Sequence, residues 1–138
     1  MPEPAELLAP LLIGLGGGLR SFAPPATLAS RGRGPLPGAA RFIAYGAAIG
    51  ELIADKQPDM GSRWARRGLA LRLGFSASAG HEAAGWPGLA VASSAALTSA
   101  YVGSRLRAVM SGGPGAPLAA AAEDALSYGL VLAGARRG

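Results

Sequence analysis

The sequence contains no cysteine and one histidine, and aromatic residues make up only 6% of its 138 residues. Without cysteine the chain can form no disulfide, no thiolate nucleophile and no thiolate metal site. The few aromatic residues do not alternate with the arginines, which argues against nucleic-acid binding by base stacking. Charged residues make up 15% of the chain, which is little for the surface of a soluble domain.

Long uninterrupted apolar runs are also missing, although half of the residues are hydrophobic and the mean hydropathy is +0.30. Four to five apolar stretches are each broken by glycine, proline or a charge, and basic residues cluster between them, as they do beside membrane spans. We therefore predict an all-α polytopic membrane protein with four to five segments, some broken or re-entrant, in a single membrane domain over 1–138. Glu3 and Glu6, with no basic residue beside them, argue against a secretory signal peptide.

The first apolar stretch, residues 7–19, is too short to cross a bilayer. Its 13 residues reach about 20 Å as a helix, against roughly 30 Å of hydrocarbon. Arg20 must then lie within the membrane, or the helix must stop partway. Three consecutive glycines at 16–18 weaken the helix, and two prolines follow shortly after Arg20. The pattern predicts a broken or re-entrant piece over 21–30.

The later stretches contain charges in their apolar parts or beside them. Stretch 39–54 contains Glu51, and stretch 118–135 contains two carboxylates about a third of the way in. Residues 68–80 form a short stretch of small residues, and 86–103, which has no charge and is followed by two arginines, is the best single span. His81 lies between these two segments. We expect it to be a solvated loop residue, with a metal ligand or proton relay as the alternative.

The two parts of the chain, 1–60 and 65–138, repeat the same order of features. In each, a helix of small residues reaches an arginine, a turn rich in glycine and proline follows, and a further helix carries a carboxylate. The spacing differs, with 31 residues from Arg20 to Glu51 and 18 from Arg105 to Glu123. Inverted halves would bring their helix breaks together near the membrane midplane. Nearly balanced basic flanks would permit an antiparallel dimer.

Three stretches, GLRSFAPPATLASR, GELIADKQPDMGSRWARRG and AAAEDALSYG, resemble the DUF4126 family of small bacterial membrane proteins. The resemblance covers nearly the whole chain and depends on the order and spacing of the three stretches. It implies a multi-pass protein of the bacterial inner membrane with no assigned biochemical role. By the motif match, the signature positions are Arg20, Ser21, Pro24, Glu51, Asp55, Lys56, Pro58, Arg63, Glu123 and Asp124.

Charged groups inside a membrane need partners, because each costs about 2.5–3.5 kcal/mol at the bilayer centre on insertion scales. Arg20 could pair with Glu51, Glu123 or Asp124, and two interpretations stay open: the pair holds helices together, or the cluster binds an ion, a proton or a polar head group. Helical spacing also places Glu51 with Asp55, and Asp124 with Tyr128, on shared faces. The candidate binding residues are Arg20, Ser21, Glu51, Asp55, Lys56, Arg63, Glu123, Asp124 and Tyr128.

The sequence carries no recognisable enzyme motif. Gly14-Leu15-Gly16 does not extend to a complete dinucleotide fingerprint, and no phosphate-binding loop motif is present. We predict no enzyme activity, cofactor or metal. The first hypothesis is a transporter or channel for an ion, polar solute or lipid head group, acting as a homo-oligomer in the bilayer. The alternatives are a non-transporting membrane scaffold or accessory protein and, less favoured, a soluble helical domain that binds polyanions.

Overall fold

The computed structural model describes residues 3–30, 47, 49, 63–110 and 113–137. All regular secondary structure in these residues is helical, which confirms the predicted all-α class. The helices in these residues are α1 (Leu8–Leu19), α2 (Ala23–Ser30), α3 (Arg63–Met110) and α4 (Ala116–Arg137). Residues 47 and 49 are also helical, and the rest of apolar stretch 39–54 lies outside the described residues.

The predicted break after α1 is confirmed. Arg20 adopts an extended conformation (φ −138°, ψ 123°), and its N–H caps the helix by donating to the Gly16 carbonyl over 3.1 Å. The helix α2 starts at Ala23 and places both prolines in its first turn, where a missing N–H breaks no helical hydrogen bond. Pro24 is fully buried, and its ring packs against Gly17 of α1. The chain therefore turns back on itself at residues 20–22.

Helix α3 is a helical hairpin whose two arms, 63–83 and 86–110, meet at Ala84 and Gly85. Gly85 has φ 61° and ψ −149°, a conformation that is essentially restricted to glycine. Gly80 and Gly88 bring the antiparallel arms into contact, since a Cβ at Gly80 would lie 2.5 Å from the Gly88 carbonyl oxygen. The hairpin turn therefore requires one glycine for its dihedral angles and two for close approach.

Three sequence-based boundaries in this region were wrong. The first arm begins at Arg63 rather than at residue 68, and the second continues to Met110 instead of stopping at Arg105. His81 and Glu82 lie in the last turn of the first arm and not in a loop, although both are exposed as expected. Helical hydrogen bonding thus continues through segments where charged residues suggested connections.

Helix α1 lies at the centre of the bundle, packed against both arms of α3 and against α4. Gly14 packs on Ala92 and Gly18 on Ala96, so the second arm runs parallel to α1. The helix α4 runs antiparallel to α1, because its residue Gly134 packs near the beginning of α1 and its Ser127 near the end. The glycines of α1 permit these close backbone approaches. The buried apolar cluster consists of Ile13, Ala23, Ala79, Val131 and Ala135.

The exterior of the bundle is apolar between two charged ends. One end, here called the hairpin end, holds the start of α1, the turn of α3 and the end of α4. Exposed acidic and arginine side chains, among those described, lie only near the ends: Glu3, Glu6, Glu82, Arg136 and Arg137 at the hairpin end and Arg105 at the opposite end. The large apolar side chains exposed along α3 and α4 are Leu71, Trp86, Leu97, Tyr101, Val102, Leu106, Val109, Met110, Leu118 and Leu126.

On the second arm of α3, a charge-free exterior band runs from residue 86 to residue 105. Its length is about 28 Å at the rise of an α-helix. In the described part of the chain, α4 is the one helix long and apolar enough to cross a membrane by length and composition. Segment 86–103, which we expect to be the best span because it has no charge, has a lower hydropathy than α4. Its serines and threonine lower the hydropathy, although the hydroxyls of Ser94 and Thr98 donate to helix carbonyls at 2.8 and 2.9 Å.

Candidate functional site

The most deeply buried charged contact joins Arg20 to Asp124. Arg20 is 3% exposed, its Nε donates to Asp124 Oδ1 over 2.6 Å, and its Nη2 pairs with the same oxygen. Arg20 follows the end of α1, about 18 Å from Leu8 along the axis of that helix. Asp124 lies about 12 Å from the start of α4 along its axis. The contact is buried in the bundle towards the end opposite the hairpin turn, because the neighbouring residue Leu19 packs on Gly103, two residues before Arg105.

A shared carbonyl fixes the position of Arg20 relative to α4. The Gly16 oxygen accepts the backbone N–H of Arg20 and also the hydroxyl of Ser127, over 2.8 Å. Ser127 is fully buried and lies three residues after Asp124, on an adjacent turn of α4. Sequence reasoning missed Ser127, although its helical spacing from Asp124 was a usable signal. The hydroxyl ties α1 to α4 next to the ion pair.

A second, looser charged contact joins Glu123 to Arg107. Glu123 Oε1 lies 3.6 Å from Arg107 Nη2, which is longer than a hydrogen bond. That oxygen is buried and accepts no hydrogen bond from the described residues, and the Glu123 side chain is 14% exposed. A Cβ built on Gly103 would lie 3.6 Å from it, so this glycine leaves room beside the carboxylate.

Glu123 and Asp124 thus face different partners. Consecutive residues of a helix point about 100° apart, so the two carboxylates cannot share one cation from the same direction. Asp124 turns to α1, and Glu123 turns to the second arm of α3. Arg107 also donates its Nε to the Gly103 carbonyl over 3.4 Å. The adjacent acids form one tight and one loose ion pair.

Of the remaining predicted site residues, three lie in the described part of the chain. Ser21 is buried and donates to the Gly68 carbonyl over 3.4 Å. Tyr128 is half-buried against the apolar cluster, and Arg63 is the first residue of α3. The other predicted members lie outside the described residues: Glu51, Asp55, Lys56 and Pro58.

One further polar group inside the bundle was not anticipated. Ser76 is fully buried on the first arm of α3 and packs against Gly17 of α1. Its hydroxyl makes no hydrogen bond within the described ranges. The interior therefore contains polar groups on both sides of α1, near the end where Arg20 follows.

No group of three metal-ligating side chains lies close enough to hold a metal ion in the part of the chain that the structure describes. Comparison of the chain with models of protein families, with curated proteins and with solved structures found no match. The resemblance to the DUF4126 family therefore remains a prediction from the three sequence stretches.

Proposed function

We propose that the chain is a multi-pass helical membrane protein of the bacterial inner membrane and a member of the DUF4126 family. The observation that supports this is the reversed polarity of the bundle. Arg20 is buried, and Glu123 and Asp124 are largely enclosed, whereas Leu97, Leu126 and other large apolar side chains are exposed. A soluble domain of this size would expose the charges and bury the leucines.

The dimensions of the exterior agree with this placement. The charge-free band on the second arm of α3 is about 28 Å long, and the hydrocarbon core of a bilayer is about 30 Å thick. Aromatic side chains lie near both ends of the band, since Trp86 is 75% exposed next to the hairpin turn and Tyr101 is 60% exposed towards Arg105. Such aromatic positions are typical of the two membrane–water interfaces.

Within this membrane protein, we assign transport of an ion, a proton or a polar solute to the charged cluster. Arg20 and Asp124 form a compact pair that fixes the helix break. Glu123 differs, because its buried oxygen lies 3.6 Å from Arg107 with no hydrogen bond from the described residues. A carboxylate held this loosely can exchange its partner for a proton or a cation. A chain of 138 residues encloses little space, so the path would lie in a homo-oligomer, such as an antiparallel dimer.

A non-transporting scaffold is the second candidate function. It is favoured by the contact between Arg20 and Asp124, which neutralises both charges, and by the Ser127 hydrogen bond that joins the same two helices. In this role the charged cluster would hold the bundle together, and partner helices would dock on the exterior.

Flux measurements on reconstituted vesicles separate the two functions. Vesicles containing the purified full chain are loaded with a pH-sensitive or cation-sensitive dye and given a defined gradient of protons, sodium or potassium. Transport predicts flux in the wild type, loss of flux in Glu123→Gln, and unchanged flux in Glu82→Gln, whose carboxylate is exposed at the hairpin end. A folded wild type without flux under every gradient would favour the scaffold. Monodisperse protein in buffer without detergent would contradict the membrane placement itself.

A further inference from the structure

Arg105 and Arg107 end the same apolar segment but occupy different environments. Two residues along a helix are separated by about 200°, so their side chains leave opposite sides of the second arm. Arg107 turns inward to the Gly103 carbonyl and to Glu123. Arg105 is exposed and lies over the ring of Tyr101 at 5.6 Å, with its Nε donating to the phenol oxygen over 3.3 Å.

The surroundings of Arg105 combine an uncompensated positive charge with an apolar surface. Its contacts in the described ranges are those with Tyr101, and no carboxylate there pairs with it. Val102, Leu106 and Val109, on the same part of the helix, are 48%, 57% and 85% exposed. Tyr101 stacks beneath the guanidinium and limits its motion, which leaves the two terminal nitrogens available for an anion.

We propose that Arg105 and Tyr101 form a binding site for the head group of an anionic phospholipid, an inference that depends on the membrane placement proposed above. Arg105 stands where the apolar band ends, at the level of lipid phosphates. A guanidinium binds a phosphate diester through paired N–H donors. The exposed side chain of Val102, on the membrane side of Arg105, would lie along an acyl chain. A free phosphate ion would use only the guanidinium and would leave this side chain without a lipid contact.

Lipid retention measured by native mass spectrometry tests this site. The full chain is purified in detergent, equilibrated with phosphatidylglycerol or with phosphatidylcholine, and scored for lipids retained per chain. We expect the wild type to prefer phosphatidylglycerol by roughly fivefold, the factor expected for one basic residue near an anionic surface. Arg105→Gln should remove the preference, and Tyr101→Leu should weaken it. Arg136→Gln should retain it, because Arg136 is also exposed but lies over no aromatic ring in the described part of the chain.

Several results would overturn the proposal. One is an unchanged preference in Arg105→Gln and Tyr101→Leu, and another is an equal loss in Arg136→Gln, which would indicate attraction by net charge alone. Competition by inorganic phosphate at the same concentration would indicate a free-anion site and contradict the lipid assignment. If the membrane placement itself is wrong, the result is different: the protein would stay monodisperse without detergent and would retain neither lipid.

Discussion

Removing Asp124 tests whether Arg20 is held inside the bundle by a charge partner. In Asp124→Ala, the Arg20 side chain, which is 4% exposed, would lose this ion pair. A guanidinium does not give up its proton in a protein, so it cannot escape the cost of burial by becoming neutral. Breaking a buried pair from one side costs about 3–5 kcal/mol in unfolding free energy. We expect a loss in this range.

Removing the arginine should lower the unfolding free energy by less than removing Asp124 does. In Arg20→Met, the remaining carboxylate is 19% exposed and can be reached by water, so the expected loss is about 1–3 kcal/mol. The double variant replaces the pair with apolar side chains, an exchange that is often close to neutral. Arg20→Met should therefore restore about 3 kcal/mol to the Asp124→Ala protein, which makes the second mutation stabilising.

The assay is equilibrium unfolding in mixed micelles with a rising fraction of denaturing detergent, followed by circular dichroism. Glu82→Ala is the matched control, because that carboxylate is exposed and its removal should change stability by less than about 0.5 kcal/mol. If the double variant is as unstable as the sum of the two single variants, the residues act independently and the pairing is refuted.

Two further predictions concern the contacts of α1. Gly18→Ala should severely destabilise the bundle, because the added Cβ would meet the Ala96 carbonyl and the Ser99 hydroxyl. Gly74→Ala, with open space at that position, should be neutral or stabilising by up to about 1 kcal/mol. Unfolding in micelles compares the two variants, and equal effects on stability would contradict the packing of α1. Ser127→Ala should lower the unfolding free energy by about 1 kcal/mol in the same assay, through loss of the hydrogen bond to the Gly16 carbonyl. Ser127→Thr should recover part of that stability if its methyl group fits. Unchanged stability in Ser127→Ala would show that this hydrogen bond does not stabilise the contact between α1 and α4.

The sequence predicted the helix break and the type of contact at Arg20. A 13-residue apolar stretch, three glycines and two prolines were sufficient to place the break, since each acts on the local backbone. The partner could not be chosen, because Glu51, Glu123 and Asp124 satisfied the same charge argument. Choosing Asp124 over its neighbour Glu123 requires the rotation of α4 relative to α1, which depends on tertiary packing, and Glu51 lies outside the described residues.

The glycines of α1 show how local reasoning fell short. Gly16, Gly17 and Gly18 weaken an isolated helix, so the sequence alone favours a break at these glycines. In the structure they remain within α1, and they permit close approach of α4, the first arm and the second arm of α3. Tertiary contacts on three sides outweigh the low helix propensity.

The end of the second arm could have been predicted better. Arg105 and Arg107 suggest the end of a span, whereas the helix continues to Met110. Arg105 contacts the Tyr101 phenol four residues earlier, and Arg107 contacts the backbone carbonyl of Gly103. The i, i+4 spacing of Tyr101 and Arg105 is visible in the sequence and favours a continuing helix.

The central claim, that the apolar exterior faces lipid, is tested most directly by single-cysteine labelling, for which the natural chain provides a cysteine-free background. Variants with one cysteine at Leu97, Leu126, Glu82 or Gly113 are reconstituted in vesicles and treated with a water-soluble maleimide on both sides. We predict rapid labelling at Glu82 and Gly113 and protection at Leu97 and Leu126, because hydrocarbon excludes the reagent and disfavours the thiolate. Equally rapid labelling at all four positions in the folded protein would contradict the account.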